Sequence, residues 1–219
     1  MSAPVVSVIM NSHNTKALTY LAIQAVMNST YIPYEIIVVE NASTDGSLQE
    51  IRKQFPNIMV IEQKTLIGFG AANMIGAQHA KGKYLFFLNP DTEVHESAVD
   101  ALAAYMESHP QCGACSGKLL NTDGSVQPQG GALPTLFNVK MWMLFLDDIP
   151  FISSLMYPYQ QRSLSYYTTQ HDDCGWLGGT ALMIPKKVFE KVGGWDTNIY
   201  MYGEDVELCV RLHNAKYLI

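Results

Sequence analysis

A chain of 219 residues is long enough to bury a sizeable core, as one large domain or two small ones. Its hydrophobic share of 48% is ordinary and its charged share of 16% is low, while a net charge of -6 without any Lys/Arg cluster argues against nucleic acid as a partner. The N-terminus lacks a basic stretch followed by a long apolar run, and no run approaches the ~20 apolar residues of a spanning helix, so a soluble, cytoplasmic protein without a signal peptide is expected.

The first strand is expected at residues 5–10, a β-branched run that ends in the polar turn Asn11-Ser12-His13-Asn14. Leu18, Leu21, Ala22, Ala25 and Val26 then recur at helical spacing, with Asn14 or Thr15 as N-cap. Residues 35–39 form a second apolar run, which stops at a loop of turn formers from Glu40 and Asn41 through Asp45 to Ser47. A short helix through Leu48, Ile51 and Phe55, a third strand at 58–61, and a small-residue helix from Gly68 through Asn73 to His79 follow. Tyr84-Leu85-Phe86-Phe87-Leu88 reads as a strand buried on both faces, and Pro90, which cannot donate to a ladder, ends it at Asn89-Pro90-Asp91.

This β-α-β-α-β-α-β alternation means a parallel sheet with crossover helices, with the polar turns 11–14, 40–47 and 89–93 lined up on one edge as a nucleotide-sized cleft. A dinucleotide fold needs G-x-G-x-x-G after its first strand, and the turn 11–14 contains no glycine. A Walker loop is absent, as is the basic glycine-rich loop that a nucleotidyltransferase would place there.

Beyond Pro110 the character changes. Residues 119–126 look like a strand pair around the Asp123-Gly124 turn. Residues 133–160 are rich in Met, Leu, Phe, Trp and Tyr, among them Leu155. They read either as a helical hairpin packed on the core or folded as a lid, or as a docking surface for lipid or a second subunit. Cys112 and Cys115 form a C-x-x-C, but Cys174 and Cys209 stand apart, so four free, partly buried thiols are expected rather than a zinc site. Residues 176–184 are a loop entering another buried strand, followed by a helix over 186–192. A further helix begins at Glu204 and Asp205 and is expected to bury Val206 and Val210. The two carboxylates fit a helix N-terminus by dipole alone; they also fit a base, because adjacent carboxylates repel and one can hold a raised pKa.

Taken in order, six stretches resemble the family 2 glycosyltransferases of the GT-A fold, in particular the bacterial rhamnosyltransferase-like branch. They are residues 6–14, 37–47, 68–73, 87–92, 119–125 and 193–209. The resemblance implies an α/β chain with a mostly parallel central sheet flanked by helices and a Rossmann-like N-terminal half. Residues 1–117 would bind the nucleotide sugar and 118–219 the acceptor. It implies an inverting transfer from a nucleotide-diphosphate sugar, dTDP-rhamnose being the donor the branch points to. The acceptor would be a hydroxyl of a saccharide or lipid-linked molecule in cell-surface polysaccharide synthesis. Asn11, Ser12, His13, Asn14, Glu40, Asn41, Asp45, Gly68, Asn73, Asn89 and Pro90 would surround the nucleotide, with Glu40 where aspartate is more usual. Asp91 would hold Mg²⁺ or Mn²⁺ against the diphosphate. Asp205, with Glu204 beside it, would deprotonate the acceptor, and Trp176, Gly178 and Gly179 would border its pocket. The family's further metal-ligating histidine is expected on a strand after the Glu-Asp helix. The sequence stops at Tyr217-Leu218-Ile219 and His213 falls inside the helix, so a fragment with an incomplete metal site is expected. The competing expectation is a nucleotide-sugar-binding module with lost or incomplete catalysis. Location is expected in the cytoplasm or peripherally at the inner face of the membrane, touching it through residues 133–160.

Overall fold

The computed structural model describes residues 3–153 and 156–219. Strand β1 (Val6–Ser12), helix α1 (Lys16–Ser29), β2 (Tyr34–Asn41), α2 (Ser47–Gln54), β3 (Met59–Gln63), α3 (Phe69–His79) and β4 (Tyr84–Leu88) follow the expected alternation. Helix α4 (Ala98–Ser108) and the short strand β5 (Cys115–Ser116) come next, then the hairpin of β6 (Leu119–Leu120) and β7 (Val126–Gln127). Helices α5 (Leu136–Met143) and α6 (Pro150–Ser153), strand β8 (Ala181–Pro185), and helices α7 (Lys186–Lys191) and α8 (Glu204–Asn214) complete the order.

Six strands form one sheet in the order β3-β2-β1-β4-β8-β5. β1 to β4 pair in parallel, with Val6 opposite both Tyr34 and Tyr84, while β8 runs antiparallel to β4 with Leu88 opposite Ala181. Side chains alternate across a strand, so each apolar run supplies two cores. Val6, Val8, Met10, Ile36, Val38, Tyr84, Phe86 and Leu88 point to the side covered by α1, α2 and α4. Ile9, Ile37, Leu85 and Phe87 point to the side covered by α3, α7 and α8, where Trp195 packs edge-on against Phe87 with centroids 5.2 Å apart. Full burial of such side chains contributes about 1.5–3 kcal/mol each, which fixes β4 in the middle of the sheet. Gly82 is required at the entry to β4, because a Cβ there would lie 2.5 Å from the backbone nitrogen of Ser7.

Three expectations are corrected. In α1 the buried face is Thr19, Ala22, Ile23 and Val26, while Leu18 and Leu21 are exposed. The helix begins at Lys16, which turns the 19-22-23-26 stripe inward and leaves the two leucines on the rim. In α8 the buried face is Glu204, Leu208, Cys209 and Leu212, and Val206 and Val210 are only half-buried. Residues 133–160 do not form a helical hairpin: α5 is followed by a 3₁₀ turn at Leu146–Asp148 and the single turn of α6, and Leu155 lies outside the described residues. Nor is this segment core. Leu136, Phe137, Met143, Leu144, Phe145 and Phe151 are 64–75% exposed. The four cysteines are free and buried, and among the described residues no helix is long and apolar enough to cross a membrane.

Candidate active site

The carboxyl ends of β1, β2 and β4 all open on one edge of the sheet, and the amino end of the reversed strand β8 comes to the same edge. The first two turns are laced together. His13 Nδ1 lies 2.7 Å from the carbonyl of Asn41, so Nδ1 carries the proton and Nε2 accepts from Asn14 Nδ2 at 3.2 Å. Asn14 holds a left-handed backbone (φ 53°), which asparagine tolerates; its N–H donates to Ser43 Oγ and its Oδ1 accepts from the N–H of Thr44. Asp45 accepts from the N–H groups of Lys16 and Ser47, both at 3.0 Å, and so joins the starts of α1 and α2. Slight burial raises its pKa, and the hydrogen bonds from the Ser47 and Lys16 groups outweigh that and hold it below the ordinary value.

Other residues expected at the nucleotide turn inward. Glu40 is 2% exposed, and its carboxylate accepts from Ser43 N–H and Ser47 Oγ, inside its own loop. Ser12 is buried in a hydroxyl cluster with Thr15 and Thr19. Asn41 clamps the backbone of Ile67 from both sides, donating to its carbonyl at 2.9 Å and accepting its N–H at 3.0 Å. Asn73 lies on the buried face of α3 and donates to the Phe69 carbonyl. Gly68 lets the start of α3 approach residue 200: a Cβ there would stand 2.6 Å from the Tyr200 carbonyl, which accepts the Phe69 N–H at 2.9 Å. Asn11 is half-buried, and its Oδ1 is buried with no hydrogen-bond partner.

At the end of β4, Asn89 and Pro90 are half-buried and Asp91 is exposed. The Asn89 N–H donates to the Thr180 carbonyl at 2.8 Å, and the next residue back, Gly179, donates its N–H to Asp205 Oδ2 at 3.2 Å. Two hydrogen bonds therefore link the Asn-Pro-Asp turn to Asp205 at the start of α8. Asp205 Oδ1 also accepts the N–H of Val206 at 2.8 Å. Glu204 beside it is 6% exposed, with Oε2 buried and without a partner. Burial pushes its carboxyl up from the usual range, and the Asp205 charge adds to this against a bond from its own backbone N–H. The raised group of the pair is thus Glu204, and desolvation outweighs the expected repulsion as the cause.

Trp176 and Gly178 stand on the strand-entry loop beside Asp205. Trp176 donates Nε1–H to the Tyr159 carbonyl at 2.7 Å and packs on its ring at 5.6 Å between centroids. Burial raises the Tyr159 pKa, and the Asp205 charge raises it further. Two cavities of about 630 and 490 Å³ are lined by neither Asp91 nor Asp205: one lies against residues 156–171, and the other lies between α4, β5 and residues 166–174 and reaches Gln129 and Leu177. The candidate site is the open sheet edge.

Among the described residues, no group of three or more His, Cys, Asp or Glu side chains is placed to hold a metal. Asp91 is the one acidic side chain on the Asn-Pro-Asp turn and it is exposed, so a cation held there would have to take its other ligands from outside the protein.

The model of the family described as "Glycosyl transferase family 2" matches residues 7–174. The chain belongs to that family. An N-acetylglucosaminyl-diphospho-decaprenol L-rhamnosyltransferase of Mycobacterium tuberculosis is 28% identical over 204 residues, covering 87% of this family 2 chain and 64% of the relative. The rhamnosyltransferase WbbL of Escherichia coli is 26% identical over 190 residues, covering 83% of this chain and 67% of the relative. Among solved structures, the mannosyltransferase PcManGT of Pyrobaculum calidifontis, in complex with GDP-Man and Mn²⁺, aligns with a TM-score of 0.67 at 16% identity, over 100% of this chain and 54% of that one. Staphylococcus aureus TarS 1–349 aligns with a TM-score of 0.64 at 15% identity, over 94% of this chain and 54% of that one. The expected GT-A fold is therefore the fold of this family 2 chain. The chain spans only part of the length of these proteins.

Sequence reasoning missed Ile67, Thr180 and Tyr200, which act through backbone groups that carry no side-chain signal. It also missed Tyr159, whose backbone carbonyl holds the Trp176 indole and which, like Ile67, acts through a group that carries no side-chain signal.

Proposed function

We propose that this chain carries the catalytic region of an inverting glycosyltransferase that moves a sugar from a nucleotide-diphosphate donor to a hydroxyl of a lipid-linked or other saccharide acceptor in cell-surface polysaccharide synthesis. The observation that carries the reading is the hydrogen-bonded path Asn89–Thr180–Gly179–Asp205, which couples the metal-motif turn to the proposed base. Family membership and the two rhamnosyltransferase relatives support it, and make dTDP-rhamnose the first donor to test.

In this reading, residues 11, 13, 14 and 45 border the nucleoside, with Gly68 and the start of α3 beside them, while Ser12 and Asn41 hold the turns from within. The half to residue 117 takes the donor and the half from 118 the acceptor. Asp91 would hold Mg²⁺ or Mn²⁺ together with the diphosphate, and the ion would supply Lewis-acid neutralisation of charge on the leaving group. Asp205 accepts the proton of the acceptor hydroxyl while Gly179 N–H fixes the orientation of its carboxylate. The hydroxyl oxygen bonds to the anomeric carbon from the face opposite the diphosphate, the carbon–oxygen bond to the diphosphate breaks, and the configuration inverts. Glu204, buried and with a raised pKa, stands next to Asp205 in the chain and supplies no hydrogen bond to it. Trp176 offers an indole face on which a sugar ring can stack.

The exposed side chains of Leu136, Phe137, Met143, Leu144 and Phe145 support peripheral contact with a membrane that carries the acceptor. Co-flotation with liposomes checks this part, and a protein that stays at the bottom of the gradient with this segment intact would refute it. The donor part is checked by thermal shift with UDP, dTDP and GDP, each with and without Mn²⁺. A shift for one nucleotide that grows with Mn²⁺ is expected, and no shift for any of the three would sink the reading.

A further inference from the structure

We infer that Cys112 and Cys115 form a modification site: a dithiol that a hydroperoxide oxidises to a reversible disulfide. The C-x-x-C has no part in the proposed transfer, and among the described residues no third side chain joins it to hold a metal. Both side chains lie in the core cluster covered by α1, α2 and α4, whereas Cys174 and Cys209 belong to the cluster on the other side of the sheet. The bend between the two turns Cys112 back on Cys115. Cys112 Sγ lies 3.2 Å from the Ala114 carbonyl oxygen, an atom of the peptide bond that leads into Cys115. The Cys115 thiol donates to the Cys112 sulfur, so the two sulfurs are direct neighbours. That bond holds the Cys112 thiol below its ordinary value; the same bond, with burial, pushes the Cys115 thiol up. Cys112 is therefore the thiol that ionises and attacks, and Cys115 the one that resolves. A small reagent has a way in. Cys112 and Cys115 are 5% and 8% exposed and line the cavity of about 490 Å³, which the exposed residues His95, Lys118 and His171 also line. A water molecule takes about 30 Å³ of liquid volume, so hydrogen peroxide fits there with ease.

The chemistry closes in two steps. The Cys112 thiolate attacks one peroxide oxygen, the O–O bond breaks, and the departing hydroxide ends as water with the proton that Cys112 released. Cys112 is then a sulfenic acid. The Cys115 sulfur attacks the Cys112 sulfur, the S–O bond breaks, and the hydroxide leaves as water with the Cys115 proton. Two thiols are oxidised and one peroxide is reduced to two waters.

The test treats the folded wild-type chain with a small excess of hydrogen peroxide, alkylates the remaining thiols in denaturant and weighs the tryptic peptides. Two of the four thiols are expected to disappear, with the single tryptic peptide 84–118 lighter by two hydrogens and joined to no other. Dithiothreitol is expected to restore both. Survival of all four thiols, or a disulfide that takes in Cys174 or a second chain, would overturn the inference, and neither result needs a variant to fold. Cys115→Ser removes the resolving thiol. It is expected to strand Cys112 as a sulfenic acid that dimedone labels at least tenfold more than in wild type. Label on Cys174 in place of Cys112 would also overturn the assignment. The readout is a thiol count, so it stands apart from whether the protein transfers a sugar.

Discussion

Asp205→Asn separates the base from everything else the site does. The carboxylate makes two backbone contacts, Oδ1 with Val206 N–H at 2.8 Å and Oδ2 with Gly179 N–H at 3.2 Å. An amide keeps one acceptor, so its oxygen stays on the shorter bond and its nitrogen meets the Gly179 N–H, donor against donor. Losing that bond costs about 1 kcal/mol, and a melting temperature lower by about 2–4 °C is expected for a domain of this size. The chemical loss is larger. A positioned base contributes about 10²- to 10⁴-fold, so kcat is expected to fall by that factor, worth about 3–5 kcal/mol of barrier. Nucleotide binding should be unchanged, because no donor residue touches Asp205. Steady-state transfer from dTDP-rhamnose with Mn²⁺, run beside a thermal melt and a dTDP titration, reads all three quantities. Turnover within threefold of wild type in a folded variant would refute Asp205 as the base.

Asn41→Ala removes both bonds to Ile67 from a buried position. Urea unfolding should show a loss of about 2–4 kcal/mol, and a change below about 0.5 kcal/mol would place the loop's hold elsewhere. For Glu204 the folded-state pKa lies above the unfolded one, so its stabilising contribution is present below pH 4.5 and is lost as pH rises through the folded value. Glu204→Gln is accordingly expected to melt higher than wild type at pH 7 to 8 and to converge with it below that value; melts that differ equally at all pH would contradict the assignment. Asp91→Ala should abolish the extra thermal shift that Mn²⁺ adds to a nucleoside diphosphate, while the shift from nucleotide alone persists. An undiminished metal increment would remove Asp91 from the coordination sphere.

The parallel half was legible because its strands are continuous apolar runs, each ended by a polar turn, and burial on both faces leaves few other readings. The positions of Asp91 and Asp205 followed from the same logic: one ends a strand, the other starts a helix. Helix faces were harder where both sides are apolar. In α8, Val206 and Val210 compete with Leu208, Cys209 and Leu212, and the packing of the sheet decides which stripe is buried. Residues 133–160 misled for a related reason. Their composition promises a core, but composition does not say whether a partner surface exists, and here Phe137 and Phe145 meet none among the described residues. Glu40 read as a ligand contact and turned out to tie its own loop, since a carboxylate beside Ser43 and Ser47 finds donors at home.

The reversed direction of β8 has an architectural consequence. Residues 117–180 leave the sheet at Ser116 and return beside it, and Ser116 Oγ donates to Ala181 at the point of return. The excursion is thus a closed loop anchored at both ends on neighbouring strands. Loop closure costs only about 0.6 kcal/mol for each doubling of length, so its interior can be exchanged or resized with little effect on the strands below. A graft cut at Gly117 and Leu177 keeps the Asn89–Thr180 and Gly179–Asp205 hydrogen bonds, so the excursion can be resized without touching the tie at the sheet edge.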